Sequence, residues 1–395
     1  MSQKKLEEEY WLALARAPGI GPIKFVRLIN HFGNPRAVFE AERSEWQTLG
    51  IKTELLHYLR SPDWSAVEKD MQWLARPNNY LLTLFHPDYP SLLREIYDPP
   101  PLLFIHGDRA LLNSKQLAIV GTRHPSQVGE QAAQKFAEYL SSQGFTITSG
   151  MALGIDGASH RGALAGSGKT IAVAGTGLDR VYPAQHRDLA HKIAETGALV
   201  SEFLPGTPVR RNHFPLRSRI VSGLSLGTLV VEAPENSGAL YAARFAVEQN
   251  REVFAIPGSI QNPLVKGCHK LIKEGAKLVE TAADILEEFQ KDLPLLTQPP
   301  LERFNPSPSP ISVDKSDKQS RQQLTTPSPI VAGENSELDG DYVRLLDYLG
   351  TGPSSIDNLV EFSGLTAGEV SSMLLILELR GLVTAQAGGF YARTG

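Results

Sequence analysis

The sequence predicts an α/β fold with a parallel sheet, and the stretch from Leu117 to Asp156 carries most of the evidence. Leu117–Val120 is an apolar run typical of a strand that is buried on both faces. Apolar residues then recur at helical spacing between Val128 and Gln143, and Phe145–Thr148 follows as a second apolar run. Strand, helix and parallel strand make a βαβ unit, whose ligands bind at the carboxyl ends of the strands. We therefore expect the functional site beside the glycine-containing turns that follow these two strands.

Further strands and helices alternate along the chain on both sides of this unit. Short apolar runs recur between Leu81 and Ile256, and helical patterns separate most of them. This alternation favours a parallel α/β sheet. Besides the two strands above, the predicted strands are Leu81–Phe85, Leu102–His106, Thr170–Ala174, Ala198–Ser201, Thr228–Val231 and Val253–Ile256, and the predicted helices cover 158–165, 184–195, 216–224 and 238–249.

The composition indicates a protein of two or three domains. The chain has 395 residues and a single cysteine, Cys268, which excludes an internal disulfide framework. The first residues are charged and lack the apolar segment of a signal peptide, and no apolar run is long enough to span a membrane. We expect a cytoplasmic protein.

Charge is unevenly distributed, although the net charge is only −4. Thirteen Lys and Arg stand against seven Asp and Glu from Arg109 to Ser225, whereas three stand against eight from Glu337 to the C-terminus. A basic segment within an acidic chain fits an anionic ligand. An ordinary solvated protein surface explains the same charges equally well.

Residues 1–75 are predicted to form a helical domain. Two helical stretches flank the glycine-containing turn Pro18–Pro22, in the arrangement of a helix-hairpin-helix whose backbone N–H groups can contact a phosphate. Leu49–Ile51 indicates a weaker second copy of this turn. A small helical module that only packs or pairs is the alternative.

The C-terminal part of the chain is predicted to contain a linker and a winged helix. Residues 80–290 form the central domain, and residues 291–337, rich in Pro, Ser, Thr and Gln, are predicted to be a disordered linker. Residues 338–395 hold three short amphipathic helices and a small hairpin, the outline of a winged helix. The third helix carries Glu369 and Glu378 and ends at Arg380, its one cation. A helix that enters a nucleic-acid groove normally brings several cations, so we expect this domain to contact a protein or the rest of the chain instead.

Two glycine-containing segments resemble nucleotide-binding motifs without matching them. Gly162–Thr170 has Ala163 where a P-loop has its first glycine, and it precedes a strand rather than a helix. Gly175–Arg180 lacks the third glycine of a dinucleotide-binding motif. The ten histidines form no metal-ligand pattern, and there is no nucleophile elbow. The sequence therefore predicts no cofactor, no metal and no catalytic residues.

What remains is a group of turns that can bind anions at the predicted strand ends. Several precede helices, where backbone N–H groups and the helix dipole attract phosphate. In the turn at Asp156 we expect that residue to cap a helix, with His160 one turn on, rather than to form a catalytic pair with it. The candidate ligand-binding residues in these turns are Gly121, Thr122, Arg123, Ser149, Gly150, Gly154, Ser237 and Gly238.

The densest cluster of cations is the segment from Arg210 to Arg219, in which four arginines surround one aromatic residue, Phe214. Arginines beside an aromatic ring suit phosphate contacts with a base stacked on the ring. We expect Phe214 to lie in an extended segment because Pro215 follows it. A basic helix start with Phe214 in the core is the alternative. The candidate DNA-binding residues of this segment are Arg211, Phe214, Arg217, Ser218 and Arg219.

Taken in order, eight blocks of the sequence resemble the DNA-processing protein A (DprA/Smf) family over about residues 80–280. They are YPSLLREIYDPPPLLFIHGD, AIVGTRHPSQVGE, SGMALGIDGASHRGAL, GKTIAVAGTGLDRVYPAQHRDL, SEFLPG, FPLRSRIVSGLS, VVEAPENSGAL and FAIPG. The resemblance implies an extended Rossmann-like fold, single-stranded DNA binding and a homodimer. It also implies protection of incoming strands and loading of RecA recombinase onto them in natural transformation, with the positions of Arg123 and Arg211 in the DNA groove. The terminal domains resemble the family's variable accessories.

Two departures from the family pattern lie near the expected groove. Arg217-Ser218-Arg219 stands where the family usually has Arg-Asn-Arg, and the segment from Ala239 to Ala243 stands where it has Ser-Leu-Ile-Thr-Ala. Both change small polar groups while keeping the arginines.

The rival interpretation is a Rossmann enzyme that processes nucleoside monophosphates. The segment Gly227–Glu232 matches only the end of such an enzyme's phosphate loop, without its Pro-Gly-Gly.

Overall fold

The architecture comes from a computed structural model, which describes residues 5–49, 53–166, 168–296, 340–349, 354–363, 365, 367–386 and 390–394. The chain forms an N-terminal group of helices, a central α/β sheet and a C-terminal winged helix. This confirms the predicted fold class. No helix among the described residues is both long and apolar enough to cross a membrane.

The N-terminal helices enclose a small aromatic core. Trp11 stacks on Phe25 with ring centroids 5.4 Å apart, and Trp73 packs against Phe104 of the central sheet. The second helix begins at a proline, which lacks the N–H that a first helical residue leaves unpaired. The turn of the predicted second copy lies partly outside the described residues. The helices are α1 Glu7–Ala15, α2 Pro22–Phe32, α3 Pro35–Glu40, α4 Arg43–Thr48, α5 Thr53–Arg60 and α6 Trp64–Leu74.

The central sheet has nine strands in the order β1-β2-β6-β5-β4-β3-β7-β8-β9. In this spatial order, every neighbouring pair in the run β6-β5-β4-β3-β7-β8-β9 is parallel. Strand β2 pairs antiparallel with both β1 and β6. The strands are β1 Asn79–Thr83, β2 Leu102–Gly107, β3 Gln116–Val120, β4 Thr146–Gly150, β5 Thr170–Val173, β6 Ala198–Ser201, β7 Gly227–Val230, β8 Glu252–Ala255 and β9 Lys277–Leu278.

Strand β3 is where the order of the sheet reverses, because it pairs with β4 on one side and with β7 on the other. Open α/β sheets bind ligands at such a point, beyond the carboxyl ends of the strands. Helices cover both faces and enclose two apolar cores, one on each side. The helices are α7 Ser91–Arg94, α8 Gln127–Ser142, α9 Ile155–Ala165, α10 Arg187–Thr196, α11 His213–Gly223, α12 Leu240–Glu248, α13 Lys266–Lys273 and α14 Ala282–Leu296.

The C-terminal residues fold as predicted into three helices and a small sheet, with strands in the order β10-β12-β11. Leu345, Leu359, Val370 and Leu374 form the centre of its own apolar core. An ion pair of 2.5 Å between Arg244 and Glu378 joins this domain to the central one. The elements are α15 Gly340–Leu349, β10 Ser354–Ser355, α16 Ile356–Ser363, α17 Ala367–Leu379, β11 Val383–Gln386 and β12 Phe390–Arg393.

The structure differs from the sequence-based expectations at Phe214 and at the start of the predicted linker. Phe214 is not extended: α11 begins at His213, so Phe214 lies in its first turn. Pro215 is tolerated there because the first N–H groups of a helix have no partner within it. The first residues of the predicted linker are helical, since α14 runs to Leu296, and residues 297–337 of that linker lie outside the described part of the chain.

Candidate nucleic-acid interface

A cavity of about 350 Å³ opens at the carboxyl ends of β3 and β4, between α11 and α12. The turn after β3 provides one wall, and the first turns of α11 provide the opposite one. The cavity therefore lies where the reversal of strand order predicts a ligand site. Nine of the candidate residues line it: Gly121, Thr122, Arg123, Gly150, Phe214, Arg217, Ser218, Ser237 and Gly238.

Phe214 lies between two arginines at this cavity. The guanidinium carbon of Arg123 is 5.0 Å from the centroid of the ring, and that of Arg217 is 5.6 Å away. Both distances are within the range of a cation–π interaction. The ring is half-buried, and Tyr182 lies 5.9 Å from it, centroid to centroid. The cavity thus combines two cations with an aromatic ring that is partly open to solvent.

A buried ion pair forms part of the cavity wall. Nη2 of Arg217 lies 3.5 Å from Oδ2 of Asp156, and both side chains are at most a tenth exposed. Burial raises the pKa of Asp156 above its ordinary value, and Arg217 opposes that rise. Burial also lowers the pKa of Arg217, and its Nε has no hydrogen-bond partner among the described residues. A side chain at Gly150 would overlap both members of the pair, so a larger residue here would have to displace the ion pair.

The turn that carries Arg123 is held rigidly by its neighbours. The N–H of Thr122 donates to the carbonyl of Glu232 at 2.7 Å, and the Glu232 carboxylate accepts hydrogen bonds from the N–H and the hydroxyl of Ser126. Gly154 has φ of +76°, and a side chain there would overlap the backbone of Thr122 and Arg123. Gly154 therefore serves close packing behind the turn and does not line the cavity.

Three other candidate residues also lie outside the cavity lining. Ser149 is buried, and its hydroxyl donates to the carbonyl of Ile119 at 2.6 Å. Arg211 is exposed and lies just before α11. Arg219 is only 2 % exposed and pairs with Glu202 and, at 3.3 Å, with Asp98 on the opposite side of α11 from the cavity. This corrects the expectation that Arg219 flanks Phe214.

Asp156 and His160 do not form a pair. His160 is fully buried, and its two ring nitrogens bond the Gly150 carbonyl and the Thr170 hydroxyl, each at 2.7 Å. Burial lowers the pKa of His160 to about 4, so the ring is neutral near pH 7. Asp156 is in the first turn of α9 and accepts a hydrogen bond from the Ala152 N–H at 3.3 Å, but Gly154 is the N-cap. Among the described residues no group of His, Cys, Asp and Glu is arranged to hold a metal ion.

Among the lining residues that the sequence did not single out as site residues are Asp156 and Tyr241. Tyr241 lies in the first turn of α12, and burial raises its pKa to about 12, so it stays a neutral phenol. In the sequence, Tyr241 stands out only as part of a departure from the family pattern. The available signal was an aromatic residue with a hydroxyl group where the family has an aliphatic isoleucine.

Comparison with known proteins now adds independent evidence. The family model described as DNA recombination-mediator protein A matches residues 80–290, which is more than half of the chain. Two further models match the flanks: the DprA-like N-terminal HHH domain matches residues 6–41, and the DprA winged helix domain matches residues 332–389. The chain belongs to the DprA/Smf family.

Relatives in this DprA/Smf family match the chain along nearly its whole length. The protein Smf of Synechocystis sp. is 35% identical over 411 residues, covering 98% of this chain and 99% of its own. The protein Smf of Escherichia coli is 38% identical over 386 residues, covering 98% and 96%. Among solved structures, the DNA processing protein A of Streptococcus pneumoniae matches with a TM-score of 0.65 and 35% identity, covering 72% of this chain and 99% of that one. The match to the family therefore extends over all three parts of the architecture.

Proposed function

We propose that the protein binds single-stranded DNA in the cavity between α11 and α12 and acts as a recombination mediator without catalysing a reaction. The observation that carries this proposal is the partly exposed ring of Phe214 between the guanidinium groups of Arg123 and Arg217. The arginines suit phosphate oxygens, and the ring suits the face of a base. Backbone amides and side chains around Ser237 and Gly238 add polar groups to the same wall.

The arrangement favours a single strand over a duplex. A ring can stack only on a base whose face is free, and in a duplex each face is covered by the neighbouring base pair. Stacking accepts any base, so we expect little sequence preference. Resemblance to the family supports the further proposals that the protein acts as a homodimer, protects the strand and loads RecA recombinase onto it.

The rival function, hydrolysis of nucleoside monophosphates, has one testable residue. Glu232 ends the segment that resembles the phosphate loop of such enzymes. Its side chain accepts hydrogen bonds from Ser126 at 2.6 and 2.8 Å, and the residue is 5 % exposed. That carboxylate holds the start of α8 in place and is not among the residues that line the cavity. The geometry therefore favours binding over catalysis.

We expect tighter binding to single-stranded than to duplex oligonucleotides of the same length, with an affinity that falls steeply as salt rises. The physical reason is that each phosphate contact releases bound counterions, so log K falls linearly with log salt, with a slope of about −0.7 per contact for a single strand. Fluorescence anisotropy titrations of a 30-nucleotide single strand and its duplex at two salt concentrations measure both effects.

An assay for free base after incubation with nucleoside monophosphates provides the control for the rival function. Equal affinity for the two DNA forms would contradict single-strand binding. Release of a base at a rate proportional to protein concentration would establish the enzyme instead.

A further inference from the structure

The winged helix packs against α11 and α12, the two helices that border the cavity. Gly368, at the start of α17, is so close to α11 that a side chain there would lie 2.8 Å from the Asp98 carboxylate and 3.4 Å from Leu216. Further along α17, Leu375 faces the same cleft as Phe245 of α12. Gly368 and Leu375, which are seven residues apart on α17, thus face the central domain. Val370 and Leu374 of the same helix lie in the core of the winged helix itself.

The last turn of α17 lies beside the part of α12 that borders the cavity. Arg244 pairs with Glu378 of α17 at 2.5 Å, and it also lies 3.7 Å from Glu248 on its own helix. Arg244 follows Tyr241 by three residues on α12, so the two side chains are neighbours on that helix. Tyr241 lines the cavity. The ion pair therefore fixes the end of the winged helix next to the cavity wall.

Arg380 comes directly after this anchored turn. It is two residues beyond Glu378, its side chain is exposed, and Gly381 with φ of +70° turns the chain away after it. The positive charge of Arg380 acts on Tyr241, where it opposes the rise in the pKa of the phenol. The ion pair between Glu378 and Arg244 holds the end of α17 one helical turn of α12 from Tyr241, and this puts Arg380 near the rim of the cavity.

We infer that Arg380 is an additional DNA contact, which the docked winged helix contributes to the rim of the single-strand site. The inference rests on the proposed function, and it gives the ion pair between Arg244 and Glu378 the role of positioning Arg380. Other charged side chains of α17, Glu369 and Glu378, are acidic, so the helix as a whole does not enter a DNA groove. One cation at its end adds a single phosphate contact, beyond the strand segment held at Phe214.

The direct test is Arg380→Ala in the full-length protein, with Arg393→Ala as the matched control. Arg393 is another exposed arginine of the winged helix, on β12, 3.9 Å from Asp347. We expect Arg380→Ala to weaken binding of a 30-nucleotide strand about 3- to 10-fold and to reduce the salt slope by about 0.7, the value for one phosphate contact. Binding of a nucleoside monophosphate, whose single base and phosphate need only Phe214 and Arg123, stays unchanged. Arg393→Ala changes neither.

The positioning role is tested by Glu378→Gln, which removes a negative charge and through charge alone would strengthen DNA binding. If the ion pair places Arg380, the variant instead binds the long strand more weakly, and adding Arg380→Ala causes no further loss. The charge exchange Arg244→Glu with Glu378→Arg restores the pair and the affinity. Stronger binding by Glu378→Gln would overturn the positioning role.

The failure of this inference is distinguishable from failure of the proposed function. If Arg123→Ala weakens binding of the long strand while Arg380→Ala behaves like Arg393→Ala, the cavity binds DNA and the winged helix does not contribute. If neither Arg123→Ala nor Arg380→Ala weakens binding, the proposed site itself is wrong. An equal loss for Arg380→Ala on the nucleoside monophosphate would also refute a contact at the rim.

Discussion

Arg219→Met is expected to lower the free energy of unfolding by about 3–5 kcal/mol, because it leaves two largely buried carboxylates without their cation. Arg219 is 2 % exposed and pairs with Glu202 and with Asp98, whose side chains are 11% and 13% exposed. Methionine keeps most of the apolar volume, so the loss reports the charge rather than a void. Denaturant unfolding followed by circular dichroism measures it. The folded variant should bind single-stranded DNA with nearly unchanged affinity, since Arg219 does not line the cavity.

The pH dependence of this loss provides an internal check. Burial raises the pKa of Glu202 to about 7, and the charge of Arg219 opposes that rise. Without Arg219 the pKa of Glu202 rises further. A carboxyl whose folded pKa exceeds its unfolded value contributes stability below the unfolded pKa and loses it as pH rises through the folded one. The loss of unfolding free energy that Arg219→Met causes, relative to the parent protein, should therefore be larger at pH 8 than at pH 5.

The double variant Arg219→Met with Glu202→Gln serves as the control, because it removes one of the unpaired carboxylates, and it should recover part of the stability. A variant that unfolds like the parent protein yet has lost DNA binding would place Arg219 in the DNA site after all. If the loss of unfolding free energy caused by Arg219→Met does not depend on pH, the unpaired carboxylates are not its cause.

The strands could be predicted from the sequence because their apolar runs are short, continuous and bounded by glycine. Predicted and observed bounds differ by no more than two residues at β3, β4 and β7. The winged helix was predictable for a similar reason, since α15 and α16 each have an apolar stripe and α17 is rich in apolar residues. These features depend on neighbouring residues alone, so they are visible in a single sequence.

The error at Arg219 came from one local decision about Phe214. If the backbone at Phe214 were extended, the sequence would give no reason to place any of the nearby arginines on a particular side of the ring. In a helix, Arg217 and Ser218 are three and four residues after Phe214 and share its face, whereas Arg219, five residues on, faces away. The preference of residues before proline for extended backbone misled the prediction, because proline is acceptable in a first helical turn.

The wall formed by Asp156 and Tyr241 could not be predicted, because it depends on contacts between distant parts of the chain. Asp156 follows β4, and its partner Arg217 is on α11, sixty-one positions further along the sequence. Tyr241 reaches the cavity only because α12 packs beside α11. No local pattern encodes such a juxtaposition.

Phe214→Ala is expected to weaken single-stranded DNA binding by about 1–3 kcal/mol, equivalent to roughly 5- to 150-fold, through the loss of base stacking. The slope of log affinity against log salt should stay nearly unchanged, since the ring carries no charge. Arg123→Ala should also weaken binding, but with a salt slope reduced by about 0.7, because one phosphate contact and its released counterions are lost. Anisotropy titrations at several salt concentrations separate the two effects.

Two controls distinguish stacking from a structural role of the ring. Phe85→Ala removes another exposed phenylalanine, 51% exposed and packed near Trp11 away from the cavity, and should leave DNA binding unchanged. Phe214→Leu keeps apolar volume between Arg123 and Arg217 but removes the flat ring, so it should bind almost as weakly as the alanine variant.

The thermal midpoint decides the remaining alternative, that Phe214 is a core residue. A half-buried ring that contacts mainly two arginines and Tyr182 contributes little to packing, so Phe214→Ala should melt within a few degrees of the parent protein. A core phenylalanine would instead cost about 3–5 kcal/mol of stability when truncated. Early melting with normal binding by the folded fraction would remove Phe214 from the DNA site. Normal melting with weak, equally salt-dependent binding would make the ring a stacking platform beside the phosphate-binding arginines.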